Sequence, residues 1–198
     1  MSDLPAVRSA NASEKQTVVN TLTLAFSGDP FNRWYLPDSD RYLDLFPKIV
    51  DALLDPAIAA ETCFITDACE GAAIWYPPGV APDAAVLEEL FTIAPPPQLA
   101  EELGGLLAAF EEFHPKDEDC WYLPLVGVDP GHQGKGLGGA LMKHANAVID
   151  AQGALSYLES STPQNISLYE RHGFESIGQL PFDEGRRVAT PMVRSRRT

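Results

Sequence analysis

The 198-residue sequence contains no apolar run long enough to cross a membrane, and its opening Met1-Ser2-Asp3-Leu4-Pro5 has neither the basic segment nor the apolar stretch of an export signal. A cytoplasmic location with no membrane partner is the expectation. Cysteine is scarce. Cys63, Cys69 and Cys120 are odd in number and stand at no metal-ligand spacing, so neither a disulfide framework nor a metal site is expected. Basic residues are few as well: 14 Lys and Arg face 28 Asp and Glu, and the formal net charge of −14 repels nucleic acid and anionic surfaces at long range. That charge is compatible with a cationic acceptor, and equally with a plain role in solubility. Internal repeats are absent. With 45% hydrophobic residues the chain can build one sizeable core, and a single domain over 1–198 is expected.

Hydrophobic periodicity and punctuation divide the chain. Residues 6–9 read as a short strand, and a helix opens near Ala12, capped by Asn11 or Ser13, and runs to about Phe26. Asp29-Pro30-Phe31-Asn32-Arg33-Trp34-Tyr35-Leu36-Pro37 then reads as an aromatic-rich loop. Residues 40–54 return to helical spacing, with Tyr42, Leu43, Leu45, Phe46, Ile49 and Leu53 as the apolar face. Residues 63–66 and 71–76 form a hairpin pattern ended by Pro77-Pro78-Gly79, and two helical stretches follow around Pro95-Pro96-Pro97. Beyond them come strand 120–128, helix 137–151, strand 154–158, a short helix 166–172, and strands 174–179 and 187–193. This alternation argues for a mixed α/β sheet with helices on both faces.

Glycine is concentrated in one place. Val126-Gly127-Val128 ends a strand, Asp129-Pro130-Gly131-His132 turns, and Gln133-Gly134-Lys135-Gly136-Leu137-Gly138-Gly139 leads into a helix. Glycine disfavours helix interiors, so this many at a helix entry calls for a reason. A backbone without Cβ atoms lets amides approach an anion, and the helix start adds unpaired amides and a positive dipole end. The stretch therefore reads as a phosphate cradle, with His132, Lys135 and Lys143 clustered around it. Gly134, Gly136 and Gly139 also spell GxGxxG, and Glu159 lies downstream where a dinucleotide fold places its ribose acid. Against that stand the five residues between Val128 and Gly134 and the short chain left after Glu159. A P-loop fails because Gly136 follows Lys135 where Ser or Thr should stand.

The run Gln133-Gly134-Lys135-Gly136-Leu137-Gly138 and the later Asn165-Ile166-Ser167-Leu168-Tyr169-Glu170-Arg171-His172-Gly173-Phe174 together resemble the two signatures of the GNAT superfamily of acyl-CoA-dependent N-acetyltransferases. Within it, Trp121 to Gly138 and Leu158-Glu159-Ser160-Ser161-Thr162-Pro163-Gln164-Asn165 are similar to the puromycin N-acetyltransferases. The resemblance implies a mostly antiparallel central sheet with helices on both faces and splayed fourth and fifth strands. It implies acetyl-CoA as cosubstrate, an acceptor-side half over 6–115 and a cofactor-binding half over 118–195. Val126 and Val128 would pair with pantetheine, and Gln133, Gly134, Lys135, Gly136, Leu137, Gly138 and Gly139 would hold the pyrophosphate. Asn165 would cap its helix, bond the cofactor, or both.

Tyr169 matches the superfamily's general acid, since a phenol with an ordinary pKa near 10 keeps its proton at neutral pH. The 120–128 strand supplies no carboxylate, and Glu159 resembles the base position of some members of the superfamily; a water chain is the alternative. Phe31, Trp34, Tyr35, Tyr76 and Trp121 offer aromatic surface for an acceptor pocket. The implied reaction is acetyl transfer to the primary amine of a small molecule. Acetylation of protein N-termini or lysines, and non-catalytic sensing of acyl-CoA, are the alternatives. Oligomeric state is left open.

Overall fold

The computed structural model describes residues 5–116 and 119–197. Of the opening Met1-Ser2-Asp3-Leu4-Pro5, in which no export signal is expected, only Pro5 lies within the described residues. The chain starts with β1 (Val7–Ser9) and a 3-10 turn at Ala12–Glu14, then α1 (Lys15–Ala25), α2 (Pro30–Tyr35), α3 (Ser39–Ala59), β2 (Cys63–Thr66) and β3 (Gly71–Tyr76). After α4 (Ala84–Ile93) and α5 (Ala100–Phe113) come β4 (Cys120–Val128), α6 (Leu137–Ala151), β5 (Leu155–Ser160) and α7 (Pro163–Arg171). The last strands are β6 (Glu175–Ser176), β7 (Leu180–Phe182) and β8 (Arg187–Arg194). Short polar side chains start several of the helices. Asn11 and Glu14 close a reciprocal capping box, and Asp29, Asp38 and Asp83 accept first-turn amides of α2, α3 and α4.

The strands form a sheet in the order β1-β2-β3-β4-β5-β8-β6, with β7 pairing on β8. All of its ladders are antiparallel except β4 with β5. A large core holds α1, α2 and α3 against one face, and a second core of Trp75, Trp121, Leu141, Met142, Ile149, Leu158 and Phe174 seats α6 and α7 on the other. The architecture is the expected mixed, mostly antiparallel sheet covered on both faces.

The parallel β4–β5 ladder runs only from Cys120↔Leu155 to Leu123↔Leu158. Pro124 comes next and has no amide to donate. Beyond it β4 stays paired outward to β3, from Leu125↔Ile74 to Val128↔Gly71, while Glu159 and Ser160 of β5 pair with β8. The two strands are thus held from their outer sides and part along their shared edge. This is the splay that the site needs.

Several boundaries differ from the sequence reading. Residues 30–35 are a helix and not a loop, because Pro30 occupies its first turn and the Asp29 carboxylate accepts from the Phe31 and Asn32 amides. Helix α3 continues past Leu54 to Ala59 in spite of Pro56, since Leu54 and Ala57 are fully buried beneath it. Leu43 is 64% exposed and does not belong to the α3 core face. The strand expected over 174–179 shrinks to Glu175–Ser176, and β7 was not foreseen.

Gly127 fixes how closely α1 approaches the open edge of β4. A Cβ there would lie 2.6 Å from the Ala25 Cβ, closer than packed carbons tolerate. Gly127→Ala is therefore expected to destabilise the fold by about 1–3 kcal/mol, the usual cost of overpacking a close contact. Urea unfolding monitored by tryptophan fluorescence measures it, and an unchanged midpoint would show that α1 can shift freely.

Candidate functional site

Two concavities meet at the β4–β5 divergence. The first, of about 840 Å³, is a cleft walled by the α1–α2 loop, the end of β4, the glycine-rich entry to α6, and α7. Its floor is built locally. The Asp129 carboxylate accepts from the Gly131 amide at 2.8 Å to set a 3-10 turn, and Gln133 Nε2 donates to the Val128 carbonyl at 3.2 Å. Gly134 and Gly136 then take left-handed φ values of +76° and +82°, which L side chains rarely adopt. A Cβ at either would meet no protein atom within 4 Å, so packing does not require these glycines. The left-handed conformation does, and it leaves the backbone bare on the cleft side.

Gly136 caps α6 without any side-chain hydrogen bond, and the helical ladder begins only with the Ala140 amide on the Gly136 carbonyl. The amides of Leu137, Gly138 and Gly139 therefore precede that ladder, as an anion cradle requires. Gln133, Gly134, Gly136, Leu137, Gly138 and Gly139 all line the cleft, and so do Val126, Val128 and Asn165. Lys135 does not; its ammonium turns back to the Gly131 carbonyl at 3.4 Å. The His132 imidazole and the Arg171 guanidinium are on the walls. The cradle fits a diphosphate, and the bare β4 edge fits a chain carrying amides.

The second concavity, of about 610 Å³, lies on the α2–α5 side of the sheet. Phe26, Val126, Asn165 and Tyr169 line both spaces and mark their junction. Tyr169 projects from α7 and is 6% exposed, with Phe174 edge-on at 6.2 Å between centroids. Burial, and secondarily the Asp29 charge, push its phenol far above the ordinary value, so it keeps its proton.

Glu159 stands where β5 leaves β4, on the wall of the second concavity. Desolvation raises its carboxyl to about 7, although the Tyr122 hydroxyl donates to Oε2 at 2.9 Å and pulls the other way. Tyr157, whose buried hydroxyl makes no hydrogen bond of good geometry, also approaches closely enough to act on that charge. His114 packs edge-on against both tyrosines, with centroids at 5.3 and 5.0 Å. A carboxyl poised near neutrality inside aromatic walls can take a proton and give it up again.

The aromatic residues singled out in the sequence divide. Phe31, Tyr35 and Tyr76 line the second concavity. Trp34 packs on Phe182 at 5.2 Å and lies outside its lining. Trp121 is on the opposite face of the sheet, 1% exposed against Trp75, and its Nε1 donates to Gln152 Oε1 at 3.3 Å. The two-residue alternation of a strand explains this, because it is Tyr122 that faces Glu159. Sequence reasoning passed over Tyr122, Tyr157 and His114; the one available signal was that alternation. It also missed Asp29, whose Oδ2 accepts from Ser161 at 2.5 Å across the junction.

The mostly antiparallel sheet with its parallel β4–β5 pair has the GNAT fold of solved acetyltransferases. Residues 99–176 match the family model described as acetyltransferase (GNAT) domain. An uncharacterized N-acetyltransferase of Schizosaccharomyces pombe is 41% identical over 59 residues, which are 30% of this chain and 24% of that protein; the match thus spans about a quarter of its length. Among solved structures, a histone acetyltransferase HPA2 and related acetyltransferase from Corynebacterium glutamicum superposes with a TM-score of 0.71 at 24% identity, over 98% of this chain and 97% of that one. Arylalkylamine N-acetyltransferase 2 from Aedes aegypti gives 0.69 at 12% identity, over 98% and 99% of the two chains. The polyamine N-acetyltransferase of Drosophila melanogaster gives 0.64 at 17%, over 95% and 98%. No helix among the described residues is long and apolar enough to cross a membrane.

The raised Glu159 carboxyl makes a stability prediction independent of activity. A carboxyl near 4.5 in the unfolded chain and about 7 in the folded one costs nothing when protonated, and weakens the fold progressively as pH climbs from 4.5 to 7. Glu159→Gln should therefore gain stability relative to wild type over that window, by about 3 kcal/mol above pH 7, the equivalent of the shift. Melting curves of both proteins between pH 4.5 and 8.5 measure it, and a constant difference would mean that the carboxyl is not perturbed.

Proposed function

We propose that the protein is an acetyl-CoA-dependent N-acetyltransferase that acts on the primary amine of a small molecule. One observation carries this: Tyr169 lines both the anion-cradling cleft and the adjoining pocket, and Glu159 stands on the wall of that pocket with its carboxyl raised to about 7 by desolvation. Acetyl-CoA supplies an activated acyl thioester. The amides from Gln133 to Gly139 would bind its diphosphate, and the unpaired edge at Val126 and Val128 would align its amides, with Asn165 beside them. Glu159 would take the proton released as the amine attacks the carbonyl, directly or through one water. Tyr169 would give its proton to the departing sulfur. The proton balance closes when Glu159 releases its proton to solvent and Tyr169 is reprotonated.

In this reading residues 6–115 supply most of the acceptor walls and 118–195 most of the cofactor cleft, with the Asp29–Ser161 hydrogen bond joining them. The walls from α2, α3, α4 and α5 favour a small acceptor over a protein segment. A buried base-and-acid pair favours turnover over mere sensing of acyl-CoA. The deciding experiment follows free thiol as purified protein meets acetyl-CoA and a panel of amines that includes puromycin. Release with none of them would overturn the proposal.

Binding has its own prediction. CoA at about 100 times its dissociation constant should stabilise wild type by about 2.7 kcal/mol. Gly136→Val should lose that gain, because its φ of +82° excludes a branched residue and any Cβ there projects into the cleft. Thermal shift with CoA checks it, with circular dichroism as the folding control. An undiminished shift in the variant would place the diphosphate elsewhere.

For the chemistry, Tyr169→Phe is expected to lower kcat by roughly 10²-fold with little change in CoA affinity, since the ring stays and the proton goes. Wild-type kcat/KM should rise with pH through about 7, where Glu159 ionises. Glu159→Gln should lose that limb and follow only the ionisation of the amine. Superimposable pH profiles would remove Glu159 from the mechanism.

A further inference from the structure

The walls of the pocket beyond Glu159 carry information about the acceptor. Phe31 sits at the centre of an aromatic arc, 5.2 Å from Tyr35 and 6.1 Å from Phe110 between centroids, and Tyr35 extends it to Phe91 at 5.8 Å. These rings come from α2, α4 and α5, and all four line the cavity. The phenol groups are already engaged. Tyr35 donates to Asn32 Oδ1 at 2.9 Å and Tyr76 to the Leu53 carbonyl at 2.6 Å, so both present ring surface and withhold their polar ends.

Charge is distributed just as unevenly. Among the described residues that line the pocket there is no lysine or arginine, and the carboxylates are Glu159 and Glu111. Glu111 is at the rim: its side chain is 78% exposed and is paired with Lys116 at 3.1 Å. The pocket therefore holds one buried carboxylate, at the end where the amine must react, and no buried anion at the other.

Building on the acetyltransferase reading above, we infer that the acceptor is a monoamine with an aromatic or bulky apolar body, and not a diamine, polyamine or guanidine-bearing amine. An ammonium arriving from water can pass its proton to Glu159, which hands it to solvent before the neutral amine attacks. A second cation on the same molecule would have to lie among the rings of Phe31, Phe91 and Phe110. Cation–π attraction at partly desolvated rings recovers only a part of what leaving water costs a charge. An apolar body gains from the same burial. A cavity of about 610 Å³ is large enough for an arylalkylamine and for the acyl end of the cosubstrate together.

The test compares kcat/KM of the purified full chain, by thiol release from acetyl-CoA, for 2-phenylethylamine and tryptamine against putrescine, spermidine and agmatine, each at pH 8. The arylalkylamines should exceed the polycations by at least 100-fold. Phe110→Ala should cut kcat/KM for 2-phenylethylamine about 10-fold, chiefly through KM. Polycations matching or surpassing the arylalkylamines would overturn the acceptor class and leave the acetyltransferase reading standing. No thiol release with any amine would overturn both. The wild-type comparison alone decides the matter should Phe110→Ala fail to fold.

Discussion

The site depends on one interruption in a ladder of backbone hydrogen bonds. A sheet gains stability from continuous pairing, and an unpaired edge inside it leaves donors and acceptors unsatisfied. Here β4 and β5 abandon each other after Leu123↔Leu158, at the point where Pro124 removes a donor. The loss is contained because β3 holds β4 through Val128, and β8 holds β5 through Ser160. A rigid gap with a bare strand edge is the result. The glycine-rich entry to α6 follows from the same strand, so the edge and the anion cradle are set by one continuous segment from Pro124 to Gly139.

The gap also decides the chemistry of Glu159. One residue earlier, Leu158 is locked in the β4 ladder and points into the α6 core. Glu159 is turned to the other face, among Tyr122, Tyr157 and His114, where little water reaches it. Those tyrosines answer its charge with hydroxyl dipoles and no cation, so burial outweighs them and the carboxyl rises to about 7. Had a lysine or arginine been its neighbour, the same burial would have left a permanent carboxylate, a weaker match to a proton acceptor at neutral pH.

The cofactor-side elements were legible in the sequence because their signals are local. Glycines preceding a helix and a run of strand residues each specify backbone conformation within a few positions. Asn165, by contrast, read as a cap of a helix from Ile166, lies inside α7, which starts at Pro163 behind Thr162. The acceptor pocket was less legible. Phe31, Tyr35 and Tyr76 could be singled out as aromatics, but which neighbour of a pair faces the cavity depends on strand phase, and Trp121 was chosen where Tyr122 stands. Phase on β4 is set by its pairing with β3 and β5, which no local pattern states. His114 and Tyr157 meet Tyr122 only through the folded sheet. The helix at Pro30 was hidden because an aspartate, a proline and a cluster of aromatics read locally as a turn.

That short helix shows how the two halves are brought to a common geometry. Asp29 uses Oδ1 to accept from the Phe31 and Asn32 amides and from Asn32 Nδ2, which starts α2 and orients Phe31 and Tyr35 into the pocket. Its Oδ2 accepts from Ser161, in the loop between β5 and α7, four residues before Asn165 and eight before Tyr169. On the far side Arg187 of β8 donates to the Pro30 carbonyl. One carboxylate thus ties α2 to the segment that carries Tyr169, and the guanidinium ties it to the strand that holds β5. Moving α2 would disturb the aromatic wall and the surroundings of Tyr169 together. In the proposed reaction, acceptor recognition and proton donation would therefore depend together on the attachments of α2, at the junction of the two spaces.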